Sequence, residues 1–224
     1  MKYQADKKCN YNKSYFRLRI GNDKLRQEQF KIDKIFINKF ISKGKLCDVG
    51  CSTGEFVSTL DWNGDAYGME TSVFAKKKAK KILSFKRDIF NSKNFFDLII
   101  FRGTIQHIDE PFRFIKESRN ALKKGGYICF LATPNTDSIL YKIKGNLPLF
   151  DLKKNFYMPG FKDLTNCLDN FGFKIEYFEF PYLSSPYRNL LSDHIKFLLN
   201  LCMPGIFLKH SFWRSSMNIM AKKK

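Results

Sequence analysis

From Lys45 onwards the chain changes period. Short apolar runs (KLCDVG, DAYGME, SFKRD and FDLIIFR) are separated by longer amphipathic segments near 54–62 and 72–82, and a segment over 110–123 leads into YICFLAT. The runs have the length of strands, and the segments between them have the spacing of helices. Strands separated in this way do not pair as hairpins. They pair in parallel through crossovers, and the crossover helices cover both faces of the sheet. The predicted fold class is therefore α/β, doubly wound and mostly parallel, with helices on both faces. After Pro134 come a polar loop, a helix predicted near 161–171, the strand KIEYFEF and a final strand in SSMNIMA. Four regions follow: a helical segment over 1–43, a core over 44–181, a helical insertion over 182–213 that the sheet does not require, and a last strand with a basic tail over 214–224. In the first region Phe30, Ile32, Ile35, Phe36, Phe40 and Ile41 recur at a helical period that Gly44 closes.

A chain of 224 residues buries enough surface to fold without a disulfide or metal staple. No run reaches the roughly eighteen uninterrupted apolar residues of a membrane span, and MKYQADKKCN has no apolar signal core. A cytoplasmic chain is expected. Cys9, Cys47, Cys51, Cys129, Cys167 and Cys202 form no CxxC pair and no Cys/His cluster at metal-ligand spacing, so reduced structural thiols and no metal are expected. The net charge of +19 suggests an anionic partner. Only nine of the 40 basic residues are Arg, however, and the excess of Lys goes with abundant Asn, Ile and Phe, as an A/T-rich coding sequence would give. Nucleic acid is thereby disfavoured as a partner, and the charge alone names no substrate.

The most informative stretch is Asp48-Val49-Gly50-Cys51-Ser52-Thr53-Gly54-Glu55-Phe56, directly after a predicted strand and before a helix. Glycine at such a turn lets the backbone bend sharply and approach a ligand with no Cβ between them. An open parallel sheet binds its ligand at the carboxyl ends of its strands. Glu70, twenty residues after Gly50, ends the second strand, where a carboxylate can accept both hydroxyls of a ribose. Asp88 ends the third, where its carboxylate or the neighbouring backbone can meet an adenine amino group. Together the strand ends describe a nucleoside slot. Neither GxxxxGK[ST] nor GxGxxG is present, which disfavours a P-loop and a dinucleotide pyrophosphate.

In these motifs the chain resembles the class I S-adenosylmethionine-dependent methyltransferases, and within them the small-molecule branch that includes the ubiquinone-biosynthesis type. LCDVGCSTGEF resembles the first motif, GMETS the second, KRDIF the third, FDLIIFRGTIQHIDEP the fourth and LKKGGYICFLATPN the strand-five region. The resemblance covers about residues 45–180 and the final strand. It implies a Rossmann-like sheet of seven strands and S-adenosylmethionine as cofactor. It also implies a cofactor site of Asp48, Gly50, Cys51, Ser52, Gly54, Glu70, Thr71, Asp88, Ile89 and Arg102, in which the loop faces the methionine end, Glu70 the ribose, and Asp88 and Ile89 the adenine. Ser52 departs from the family's usual middle glycine. A serine fits there if its φ is negative, with its hydroxyl near the methionine carboxylate, whereas a positive φ would weaken binding.

A hydroxyl acceptor calls for a general base. His107 follows strand four on the rim expected to face the sulfonium and is the best-placed candidate; histidines at this spot also organise the loop against Asp109 and Pro111. His194 and His210 lie in the insertion, and Tyr157 and Asp109 are further candidates. Arg102-Gly103-Thr104-Ile105 stands where an [ND]PP[YFW] tetrad would grip a planar amino group. The expected reaction is methylation of a small-molecule or lipid-linked acceptor, most simply O-methylation in a glycan or lipid pathway. An RNA or other macromolecular acceptor, and a cofactor-binding protein without turnover, are the competing readings. In the insertion, Leu190, Leu191, His194, Ile195, Leu198, Leu201 and Cys202 fall on one helical face up to Pro204-Gly205. That face suits a lid, a dimer contact or, through 188–210, a peripheral contact with the inner face of a membrane.

Overall fold

The computed structural model describes residues 2–3, 24–147, 155–203 and 205–224. Helix α1 (Lys24–Asn38) precedes strand β1 (Leu46–Val49), helix α2 (Glu55–Ser58), strand β2 (Ala66–Met69), helix α3 (Val73–Ala79) and strand β3 (Phe96–Arg102). A 3-10 turn over Ile105–His107 leads to helix α4 (Pro111–Ala121), which starts on a proline whose fixed φ suits a first helical turn. Strand β4 (Leu122–Pro134), helix α5 (Ile139–Lys144), helix α6 (Phe161–Asn170), strand β5 (Phe173–Glu179), helix α7 (Leu190–Cys202) and strand β6 (Ser216–Lys223) complete the order. Residues Lys2–Tyr3 pair separately with Tyr157–Met158.

The main sheet runs β2-β1-β3-β4-β6-β5. Strands β2, β1, β3 and β4 are parallel, and β6 lies antiparallel between β4 and β5. The apolar runs bury both faces because neighbouring residues point to opposite sides. Cys47, Ile99 and Phe101 join one core layer; Leu46, Leu98 and Ile100 join the other, against Phe30, Phe36 and Ile37 of α1. The chain leaves β1 to build β2 on one side and β3 on the other. The carboxyl ends of these three strands therefore border the crevice where such sheets bind ligands.

Among the described residues the sheet has six strands, not the seven expected. The run SFKRD forms a single parallel bridge between Ser84 and Tyr67 at the sheet edge. Local side chains take amides of the run that a ladder would need: Ser84 Oγ accepts from the Lys86 amide at 3.4 Å, and Asn91 Oδ1 from the Asp88 amide at 2.8 Å.

Candidate active site

Beyond β1 the backbone takes left-handed conformations at Gly50, Ser52 and Gly54, with φ of 77°, 52° and 81°. At Gly50 a Cβ would lie 2.5 Å from the Thr104 methyl, so glycine is required there by space as well as by conformation. The amides of Gly50 and Cys51 donate to the Met69 carbonyl at 2.8 and 3.1 Å, fastening the loop to the end of β2. The next residue on that strand end is Glu70. Its Oε2 accepts from the Ser52 amide at 2.9 Å and its Oε1 from the Ser72 amide at 2.7 Å, with the Thr71 hydroxyl 3.5 Å away. Two backbone donors thus fix the carboxylate, and Oε2 keeps a further lone-pair site for a ribose hydroxyl.

The negative φ that would suit a serine at position 52 is therefore not found. Ser52 adopts the left-handed conformation of the usual glycine, and it is its amide that orients Glu70.

Asp48 lies beneath the loop, 3% exposed, and its Oδ1 has no hydrogen-bond partner among the described residues. Burial pushes its carboxyl up to about 7; Arg102 pulls it down and Glu70 adds to the rise. A buried carboxylate lacking a partner suits a cationic ligand group. S-adenosylmethionine carries both an ammonium and a sulfonium, together with the ribose that Glu70 is placed to receive, so these residues fit that cofactor. Cys51 is packed so closely that a Cβ on Gly68 would lie 2.7 Å from its sulfur. Burial and the nearby Asp48 and Glu70 carboxylates push its thiol far up, so it stays protonated and is not a nucleophile.

Arg102, expected among the cofactor ligands, is turned to α1. Its Nε donates to Asp33 Oδ2 at 2.7 Å, and its guanidinium lies 4.4 Å and 5.0 Å from the ring centres of Phe30 and Phe56. Asp33 is fully buried and also accepts from Gln29 at 2.9 Å. Burial raises its carboxyl, and Arg102 and Gln29 offset part of that rise. The sequence reading missed Asp33. Its signal was an acid at helical spacing from Phe30, Phe36 and Ile37, on the face that turns inward. Asp88 is half-buried, and the Ile89 side chain is wholly in the core, which leaves its backbone as the group available toward an adenine.

His107 sits at the carboxyl end of β3. Its amide donates to the Thr104 carbonyl at 2.8 Å, and Thr104 is the residue against Gly50, so the backbone of His107 lies one turn from a neighbour of the glycine loop. The other histidines are elsewhere. His194 is exposed on α7, with Nδ1 2.6 Å from the Leu190 carbonyl. His210 is buried, with Nδ1 2.8 Å from the Leu208 carbonyl. Tyr157 is buried in the core beside Phe112. Across from Gly103 the end of β4 bulges at Ala132 (φ 49°), whose amide donates to Asn218 Oδ1 at 3.0 Å. Neither feature has a motif in the sequence.

A doubly wound sheet with a glycine turn, an orphaned acid beneath it and an acid on the adjoining strand end defines the S-adenosylmethionine-binding class of α/β proteins. Residues 24–177 match the family described as "Methyltransferase domain", and the chain belongs to that family. It is 31% identical over 102 residues to the ubiquinone biosynthesis O-methyltransferase of Pelagibacter ubique, covering 41% of this chain and 42% of that one. It is 25% identical over 178 residues to the tRNA U34 carboxymethyltransferase of Campylobacter jejuni subsp. doylei, covering 66% and 61%. The chain thus spans less than two thirds of either relative. The fold is similar to a crystal structure of an S-adenosylmethionine-dependent methyltransferase from Thermotoga maritima, with a TM-score of 0.62, 19% identity and 94% of both chains covered.

Proposed function

We propose that this methyltransferase acts on a hydroxyl of a small-molecule or lipid-linked acceptor in a glycan or lipid biosynthesis pathway, in the cytoplasm. Region 44–181 is the cofactor-binding core and 182–213 an insertion on the acceptor side. The observation that carries the cofactor reading is the unpartnered Asp48 Oδ1 beneath the glycine loop. When bound, S-adenosylmethionine supplies an electrophilic methyl on a sulfonium. Asp48 holds its cationic end, Glu70 takes the ribose hydroxyls, and Asp88 with the Ile89 backbone borders the adenine. His107 would accept the proton of the acceptor hydroxyl, whose oxygen would take the methyl carbon as the S–CH3 bond breaks and the sulfonium sulfur leaves as a neutral thioether. The O-methyltransferase relative supports a small acceptor, and alignment of the reacting atoms supplies most of the acceleration. An RNA acceptor is the alternative, supported by the charge of +19 and by the tRNA-modifying relative.

Calorimetric titration of S-adenosylmethionine into the wild type and Glu70→Ala tests the slot. Loss of the charge-assisted contacts at Glu70 should weaken binding about tenfold or more. No binding by the wild type would refute the reading. Transfer of labelled methyl to lipid-linked glycans but not to RNA, lost in His107→Ala, supports the acceptor class; transfer to RNA alone would replace it.

A further inference from the structure

Helix α7 is built the wrong way round for a helix that covers a soluble core. Its buried residues are polar, Asp193 and Asn200. Asp193 Oδ2 accepts from the Tyr182 hydroxyl at 3.0 Å and the Asn189 amide at 2.9 Å. Asn200 donates to the Leu208 carbonyl at 3.0 Å and accepts from the Leu208 amide at 2.8 Å. Phe197 stacks on Phe212, with ring centres 4.0 Å apart. The inward side is thus fastened, and the helix has no freedom to roll its other face under. That other face carries Leu191, Ile195, Leu198 and Cys202, at the i, i+4, i+7, i+11 spacing of a single stripe. Leu191 is 75% exposed and Leu198 59%. Lys144 Nζ donates to the Met203 carbonyl at 2.8 Å, which holds α5, with its exposed Ile139 and Ile143, beside the end of α7.

We propose that the α5–α7 face docks on the surface of an anionic lipid bilayer. Charge selects this occupant. Between residues 182 and 213 the only acid is Asp193, which is buried, whereas Arg188, Lys196 and Lys209 lie in the same stretch and Lys142 and Lys144 on α5. An apolar stripe with lysines and arginine around it and no exposed acid between residues 182 and 213 meets acyl chains with the stripe and lipid phosphates with the cations. A second copy of the chain fits poorly, because a two-fold contact would press two copies of the same cationic stretch together with no exposed acid between residues 182 and 213 to answer either. Among the described residues no helix is long and apolar enough to cross a membrane, so the contact is one of lying on the surface. The inference rests on α7 and is independent of the acceptor assignment.

The test is co-sedimentation of the full chain with vesicles of phosphatidylcholine alone or mixed with phosphatidylglycerol. The wild type should partition to the mixed vesicles. Leu191→Glu/Leu198→Glu should partition at least roughly tenfold less, while binding S-adenosylmethionine as the wild type does. Ile35→Glu/Val73→Glu, two exposed apolar residues outside this face, make the same change of two charges and should partition as the wild type does. Equal partitioning of Leu191→Glu/Leu198→Glu and wild type would overturn the proposal, since net charge alone would then explain binding. So would a wild type that ignores vesicles and is a dimer by light scattering, with the double variant monomeric.

Discussion

Replacing Asp48 by asparagine should exchange cofactor affinity for stability, with a sign that pH reverses. The Asp48 carboxyl is raised from 3.8 to about 7, chiefly by burial. Between those values the folded chain binds a proton that the unfolded chain has released, so stability falls as pH rises through this window and is level above it. At about 1.4 kcal/mol per unit, the approximately three-unit rise costs the cofactor-free protein about 4 kcal/mol above pH 7. The Asp48→Asn variant carries no charge there and escapes this cost. The amide donors it introduces, buried without assured partners, cost about 1–3 kcal/mol. The net gain at pH 7.5 is therefore about 2 kcal/mol, or roughly 5 °C in Tm for a chain of this size. At pH 4.5 most of the charge cost is absent and the gain should vanish or reverse. Thermal unfolding at both pH values, without cofactor, reads this directly. Titration of S-adenosylmethionine should show the wild type binding more tightly as pH rises through 7, where Asp48 ionises, and the variant binding weakly with little dependence on pH. A variant that melts below wild type by the same amount at both pH values would refute the reasoning, as would unchanged cofactor affinity.

Gly50→Ala forces a Cβ to 2.5 Å from the Thr104 methyl at a φ of 77°, and should cost about 3 kcal/mol in chemical denaturation and most of the cofactor affinity. Arg102→Met leaves Asp33 buried without its cation and should destabilise by roughly 3 kcal/mol, with part of the loss recovered when Asp33→Asn is added. Ser52→Gly relieves left-handed strain but loosens the unfolded chain, so stability should change by less than about 1 kcal/mol. Ser52→Val, β-branched at the same φ, should cost about 2 kcal/mol or more and weaken cofactor binding through the displaced Glu70.

Most of the order of strands and helices, the glycine turn and the acid that ends the second strand were legible in the sequence because each is a local property; helix α5, in a stretch read as a polar loop, was not. A period, a turn residue or a polar group ending an apolar run needs no knowledge of the distant chain. The tertiary structure decided the rest. Whether SFKRD becomes a seventh strand depends on whether its amides meet a neighbouring strand or nearby side chains, and Ser84 Oγ takes the Lys86 amide and Asn91 Oδ1 the Asp88 amide. Whether Arg102 faces a ligand or Asp33 depends on how α1 docks, 69 positions away along the chain. Ser52 takes a glycine's conformation because the loop is clamped at Met69 and Glu70 on the adjoining strand. The sequence of α7 shows that one of its faces is apolar, but periodicity carries no direction. Only the bonds of Asp193 and Asn200 to their neighbours turn that face outward.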